Sequence, residues 1–145
     1  MIAAVGYNAA MPKKILALVA EPVSADALRS AVGEEDANSA EVLVVAPALN
    51  TKKRFVLADP DPAIERADAV QEETVERLDE AGIDAAGDTG EEDPLLALQD
   101  ALVTYDADEI VLFTHPGDKR NWLEEGLVEQ AKERFSVPVR HMVVE

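Results

Sequence analysis

Apolar residues along this chain follow two rhythms. The first is the short unbroken run: residues 15–19, 42–46 and 110–113 contain only Ile, Leu, Val, Ala or Phe. Runs of that length without polar alternation predict strands covered on both faces. The second is helical spacing. Ile64, Ala67, Val70, Thr74, Leu78 and Ala81 recur at intervals of three and four, which is the strongest helix signal in the chain. Shorter stripes of the same kind are Ala25, Leu28, Ala31 and Val32; Leu95, Leu98, Ala101 and Leu102; and Leu123, Leu127, Ala131 and Phe135.

Polar residues, proline and glycine mark where these segments begin and end. Ser24 predicts an N-cap, and Gly33 with the polar stretch 34–39 ends the first helix. Pro47 closes the second strand. Asp61-Pro62 and Asp93-Pro94 each place proline at the first helical position, and Gly82 stops the long helix. Residues 83–89 make a weak strand with Gly87 inside it, which suits a sheet edge. After residues 110–113, Pro116 and Gly117 break the run. Asn121 predicts an N-cap with Glu124 as its capping-box partner. A final strand is expected at 137–144, with Pro138 near its start. The order βαβαβαβαβ predicts an α/β fold: a three-layer α/β/α sandwich around a five-stranded, mainly parallel sheet. No glycine- or serine-rich linker, repeat or low-complexity tract divides the chain. A loose N-terminal extension (1–12) followed by one domain (13–145) is therefore expected.

Composition narrows the function classes. The 145 residues suit one core, and 48% apolar content excludes a disordered chain. There is no cysteine, which removes disulfides, thiolate metal sites and cysteine nucleophiles. Thirteen basic residues against 30 acidic ones give a net charge of −17. That field repels nucleic acid and anionic membrane surfaces, so neither is an expected partner. The acidity also suits simple solubility or high salt. Residues 1–10 are apolar and small but lack the basic start of a signal peptide. The longest apolar runs, such as 42–49, are too short to span a bilayer. A cytoplasmic protein is expected.

In a sheet of this type the ligand crevice lies beyond the carboxyl ends of the strands, at the topological switch point. A strand feeding a loop that opens a helix, as at 109–128, is also where free backbone N–H groups can hold an anion. Lys52, Lys53 and Arg54 follow the second strand, and Lys119 and Arg120 follow the fourth. All five then fall on one edge of the sheet, a positive patch suited to a small-molecule anion or phosphate. The alternative is ordinary surface cations paired with nearby carboxylates. His115 at the crevice mouth can donate to a phosphate or act as acid or base, or simply hydrogen-bond the backbone. Trp122 can stack on a ligand or cap the core. His115 and His141 have no ligand partners close in sequence, so a histidine metal site is not expected. The acidic runs 34–36 and 91–93 lack EF-hand spacing. Ser24 and Ser30 lack a nucleophile-elbow context, and there is no P-loop lysine motif.

Several stretches together, EEDPLLALQDAL, DADEIVLFTHPG and the close FSVPVRHMVVE, resemble a universal stress protein domain, and with the element order the likeness covers nearly everything from Lys14 to Glu145. That resemblance implies a sheet order of 3-2-1-4-5, a homodimer formed through the last strand (137–144), and in some members ATP at the ends of strands one and four. Carried onto this sequence, it implies ligand contacts at Ala20, Glu21, Val45, Thr114, His115, Gly117, Lys119, Arg120, Asn121, Gly126 and Leu127. The ATP-binding members carry Gly-x-x-Gly, nine residues, then Gly-Ser or Gly-Thr. Here Gly126 matches the last glycine. Counting back without a gap puts Pro116 and Phe113 at the first two, and Gly117 serves only if the loop is one residue shorter. The hydroxyl position is Leu127, which cannot hydrogen-bond a phosphate. The aspartate expected after strand one is Ala20, with Glu21 one place later. Three functions follow: a non-catalytic stress-response module binding a small ligand or nucleotide; a ligand-free dimeric interaction protein of the same fold; or a phosphohydrolase or nucleotidyl-transfer relative using His115.

Overall fold

The short apolar runs form the centre of a parallel sheet. The structure, a computed structural model, describes residues 13–47, 61–90, 93–114 and 126–143. In chain order these form β1 (Lys14–Val19), α1 (Ala25–Val32), α2 (Glu34–Ser39), β2 (Glu41–Pro47) and α3 (Asp61–Glu80). Then come β3 (Asp84–Gly90), α4 (Pro94–Thr104), β4 (Glu109–Thr114), α5 (Leu127–Arg134) and β5 (Val139–Val143). The strand order is β3-β2-β1-β4-β5 and every pairing is parallel. The expected 3-2-1-4-5 sheet is thus observed.

Side chains alternate between two cores. Ile15, Ala17 and Val19 of β1, Val42, Val44 and Ala46 of β2, and Val111 and Phe113 of β4 face α1, α2 and α3. Leu16, Leu18, Val45, Ile110 and Leu112 face α4 and α5. A strand buried on both faces needs apolar residues at every position, which is why these strands read as runs. The chain steps from β1 to β2 to β3 in one direction and from β3 to β4 to β5 in the other. Right-handed crossovers then put the first helices on one face and the later ones on the opposite face.

Local chemistry accounts for the boundaries. Ser24 caps α1, accepting from Ala27 N–H at 3.2 Å, and Asp93 caps α4, accepting from Leu95 N–H at 2.9 Å. The edge strand β3 is mostly exposed along DAAGDTG. Its Gly87 leaves room for α3: a Cβ there would lie 1.7 Å from Gln71 Oε1 and 3.0 Å from Val75 Cγ2.

Four expectations change. The polar stretch after Gly33 is helical: α2 places Glu34, Glu35 and Asp36 in its first turn, where carboxylates favour the helix dipole, and buries Ala37 completely. Ile64 is 42% exposed instead of joining the buried stripe of α3. The 20-residue α3 is roughly 30 Å long and overhangs the seven-residue β2, at roughly 23 Å, so its first turn lies past the sheet. The expected helix is not continuous through residue 126: Gly126, at φ +70°, is the N-cap of α5, which begins at Leu127, while the expected start at Asn121 lies outside the described residues. A left-handed residue cannot continue an α-helix. The last strand starts at Val139, because Pro138 has no N–H to donate and joins the sheet only as acceptor from Ile110 N–H at 2.9 Å.

Candidate functional site

The sheet reverses its order between β1 and β4. The chain leaves β1 toward α1 on one face, while the helix that follows β4, α5, packs on the other. Two chains parting in this way open a crevice at the carboxyl ends of the two strands. Val19 and Phe113 are paired neighbours at its floor, both buried. Ala20 and Thr114 are the next residues along, so the structure brings these two expected positions together.

Glu21 forms the adjoining wall. Its carboxylate is 3.8 Å from the Arg66 guanidinium of α3, and both are substantially exposed. Two residues on, Val23 N–H donates to Thr74 Oγ1 at 3.2 Å in a buried setting. Thr74 is the polar member of the apolar stripe of α3 and is 2% exposed. Its hydroxyl satisfies a loop N–H that burial would otherwise orphan. Helix α3 therefore holds the loop after β1 at two points, Arg66 and Thr74. Sequence reasoning counted Thr74 only as an apolar-stripe position and did not single out Arg66. The one polar residue in an otherwise apolar stripe was the available signal.

Val45 and Leu127, also expected at the site, are core residues. Val45 is 2% exposed among the side chains beneath α4, and Leu127 is 4% exposed beneath α5. Gly90, at the end of β3, lets α4 approach this corner: a Cβ would meet Ala97 Cβ at 2.7 Å and Val45 Cγ1 at 3.0 Å. Gly126 accepts from Gln130 N–H at 3.0 Å and turns the chain into α5. Thr114 contributes backbone to the last rung, opposite Val143. Across the rim, Thr89 Oγ1 donates to Asp68, and Asp88 Oδ1 accepts from Thr89 N–H at 2.9 Å. His115, Gly117, Lys119, Arg120, Asn121 and Trp122 lie outside the described residues, as do Lys52, Lys53 and Arg54.

A second charged centre occupies the opposite, amino edge. Glu109, at the start of β4, has a side chain only 3% exposed. Lys13 Nζ lies 2.6 Å from its Oε1, and Arg140 Nε of β5 donates to its Oε2. The lysine contact is an ion pair outside hydrogen-bond alignment, so Oε1 has a charge partner but no aligned donor. Tyr105 O–H donates to the Glu41 carbonyl at 2.7 Å, and Lys14 Nζ sits 5.7 Å from the Tyr105 ring centroid. Burial, followed by the nearby Glu41 and Asp84 carboxylates, raises the Tyr105 phenol well above its ordinary range. These groups join β1, β2, β4 and β5 at the edge away from the crevice.

Chemically, the described residues at this edge offer backbone groups and one exposed carboxylate–guanidinium pair, Glu21 with Arg66. Among the described residues no cluster of His, Asp and Glu is arranged to hold a metal. No described helix is long and apolar enough to cross a membrane.

Comparison with known proteins agrees with this architecture. The chain is similar to the structure of a universal stress protein from Archaeoglobus fulgidus, at 16% identity and TM-score 0.65, over 91% of this chain and 99% of that one. It is also similar to a universal stress protein family protein from Arabidopsis thaliana whose crystal structure has AMP bound, at 12% identity and TM-score 0.61, over 92% and 93% of the two chains. No family model and no curated protein matches the sequence. At these identities the likeness is one of fold: the chain is a universal-stress-protein-like domain.

Proposed function

We propose that this protein is a non-catalytic, nucleotide-type binding module of the universal stress kind, acting in the stress response as a cytoplasmic homodimer. The observation that carries the proposal is the topological switch point between β1 and β4, in a fold shared with a protein that has AMP bound. A nucleotide phosphate there would rely on backbone N–H groups and on the basic residues Lys119 and Arg120, since Leu127 brings no hydroxyl and Ala20 no carboxylate. AMP or ATP would be the ligand, with Glu21 beside it.

The dimer part of the proposal rests on β5. This strand is the sheet's last in order and pairs only with β4 among the described residues. Val143 on it is 50% exposed. The last strand of a sheet is where a further strand can add, here the same strand of a second copy running antiparallel across a two-fold axis.

Native mass spectrometry tests both parts together. The expected result is a dimer that gains one nucleotide per protomer with added AMP or ATP and releases no phosphate over buffer. A monomer at micromolar concentration would overturn the dimer. A ligand-free dimer that gains no mass at millimolar nucleotide would favour the second reading, an interaction module that has lost its ligand. The burial of Leu127, where ATP-binding members place a hydroxyl, is the observation favouring that reading. Phosphate release that disappears in His115→Ala would instead favour a phosphohydrolase.

A further inference from the structure

Helix α3 extends past the carboxyl ends of the strands, and one of its cations stands there. Gln71 and Val75 pack against Gly87, and Thr89, near the end of β3, meets Asp68. The residues of α3 before Asp68 therefore rise beyond the sheet, Arg66 among them. Its guanidinium lies 3.8 Å from the carboxylate of Glu21, two residues past Val19 at the β1–β4 switch point. The other described cations are placed elsewhere. Lys13, Lys14 and Arg140 belong to the amino edge, Arg29 and Arg77 pair with Asp26 and Glu73, and Lys132 and Arg134 lie in the last turn of α5.

Arg66 does little for stability where it stands. Its side chain is 66% exposed and that of Glu21 37%, and 3.8 Å is beyond hydrogen-bonding distance. An anionic ligand has more need of it. The net charge of −17 opposes an approaching anion, so a site for one depends on local cations. A guanidinium offers a phosphate two parallel N–H donors, a stronger and better-aligned contact than the present one with Glu21. Glu21 carries the same sign of charge as such a ligand and attracts the same partner.

We propose that Arg66 binds the phosphate of the nucleotide and that Glu21 competes with that phosphate for it. The inference rests on the nucleotide reading above and adds to it a contact residue on α3 and an internal competitor. Binding exchanges one ion pair for another: the guanidinium leaves Glu21 for the phosphate, and the released carboxylate turns to water. The two members of the pair consequently act on affinity in opposite directions.

Calorimetric titration of AMP and adenosine into the full chain tests this, alongside Arg66→Gln, Glu21→Gln and the double variant. Arg77→Gln and Glu72→Gln, at exposed positions of the same helix, make the same charge changes away from the switch point. Arg66→Gln is expected to weaken AMP binding about five-fold, and Glu21→Gln to strengthen it about three-fold. Glu21→Gln should bring no gain once Arg66 is gone, adenosine should respond to neither, and the two controls should shift AMP by less than about two-fold. AMP binding that Arg66→Gln leaves unchanged, or that Glu21→Gln weakens, would overturn the inference and leave the nucleotide reading standing. Equal shifts for adenosine or in the controls would overturn it too, since the phosphate or the local pair would then play no part. A parent chain that takes up no AMP at millimolar concentration would overturn the nucleotide reading, and the inference with it.

Discussion

The two edges of the sheet are built differently. At the amino edge, a buried carboxylate, two cations and a half-buried tyrosine join four strands: Glu109 meets Lys13 and Arg140, and Tyr105 holds the Glu41 carbonyl. At the carboxyl edge, the described ion pair is exposed, with Glu21 and Arg66 3.8 Å apart and facing water. Buried charge holds geometry because breaking it is costly, while solvated charge costs little to rearrange. A parallel sheet that receives its ligand at the carboxyl edge can be locked at the other end without obstructing the crevice.

The sharpest way to break this contrast is to strip Glu109 of both cations. Lys13→Met with Arg140→Met leaves a buried carboxylate with no charge partner and is expected to cost about 3–5 kcal/mol in urea unfolding. If the double variant loses less than about 1 kcal/mol, the amino edge is not the lock described here. Gly90→Ala probes the corner where α4 meets β2 and β3. Its Cβ would sit 2.7 Å from Ala97, so overpacking of about 1–3 kcal/mol is expected in the same measurement.

Thr74→Val removes the hydroxyl that accepts from Val23 N–H while keeping side-chain volume. The expected loss is about 1–2 kcal/mol, with faster amide exchange confined to residues 20–24 and the facing turn of α3. Uniform exchange across the chain would mean that Thr74 holds the whole fold instead of one loop.

Tyr105 supplies a pH test. Its folded pKa is raised above the unfolded value near 10. Its contribution is therefore complete below pH 10 and is lost as pH rises, because the unfolded chain then releases a proton that the folded one retains. The slope is at most about 1.4 kcal/mol per pH unit, reduced by solvent screening of the half-buried ring. Tyr105→Phe should lose the hydrogen bond to Glu41 at neutral pH and show a shallower decline than the parent above pH 10. Parallel curves would place the titration elsewhere. The smallest effect is expected at the carboxyl edge, where Arg66→Ala should change stability by less than about 1 kcal/mol. A larger loss would erase the difference between the edges.

Much of the fold was legible in the residues themselves. Unbroken runs such as ILALV and VLVVA signalled strands enclosed on both sides, and the element order required parallel crossovers. Ser24 and Asp93 marked helix starts that the structure confirms, and Gly87 marked an edge. These signals are local: an N-cap, a missing side chain or a hydrophobic period acts within a few residues. The candidate site was less legible. Ala20 and Thr114 meet because β1 and β4 pair across more than ninety residues of chain. Arg66 and Thr74 reach the β1 loop only because α3 lies across that face of the sheet.

Glu109 shows the same division in one residue. In the sequence it is an acidic residue at the start of an apolar run, with nothing local to mark it as buried. Its partners, Lys13 and Arg140, come from opposite ends of the chain. Periodicity, capping residues and composition were enough to specify strands, helices and their wrapping, because those depend on short-range sterics and on which faces avoid water. Which charges are buried together, which carboxylate stays in solvent, and where two strands part to leave a crevice depend on contacts between distant segments, and those exist only once the sheet has assembled.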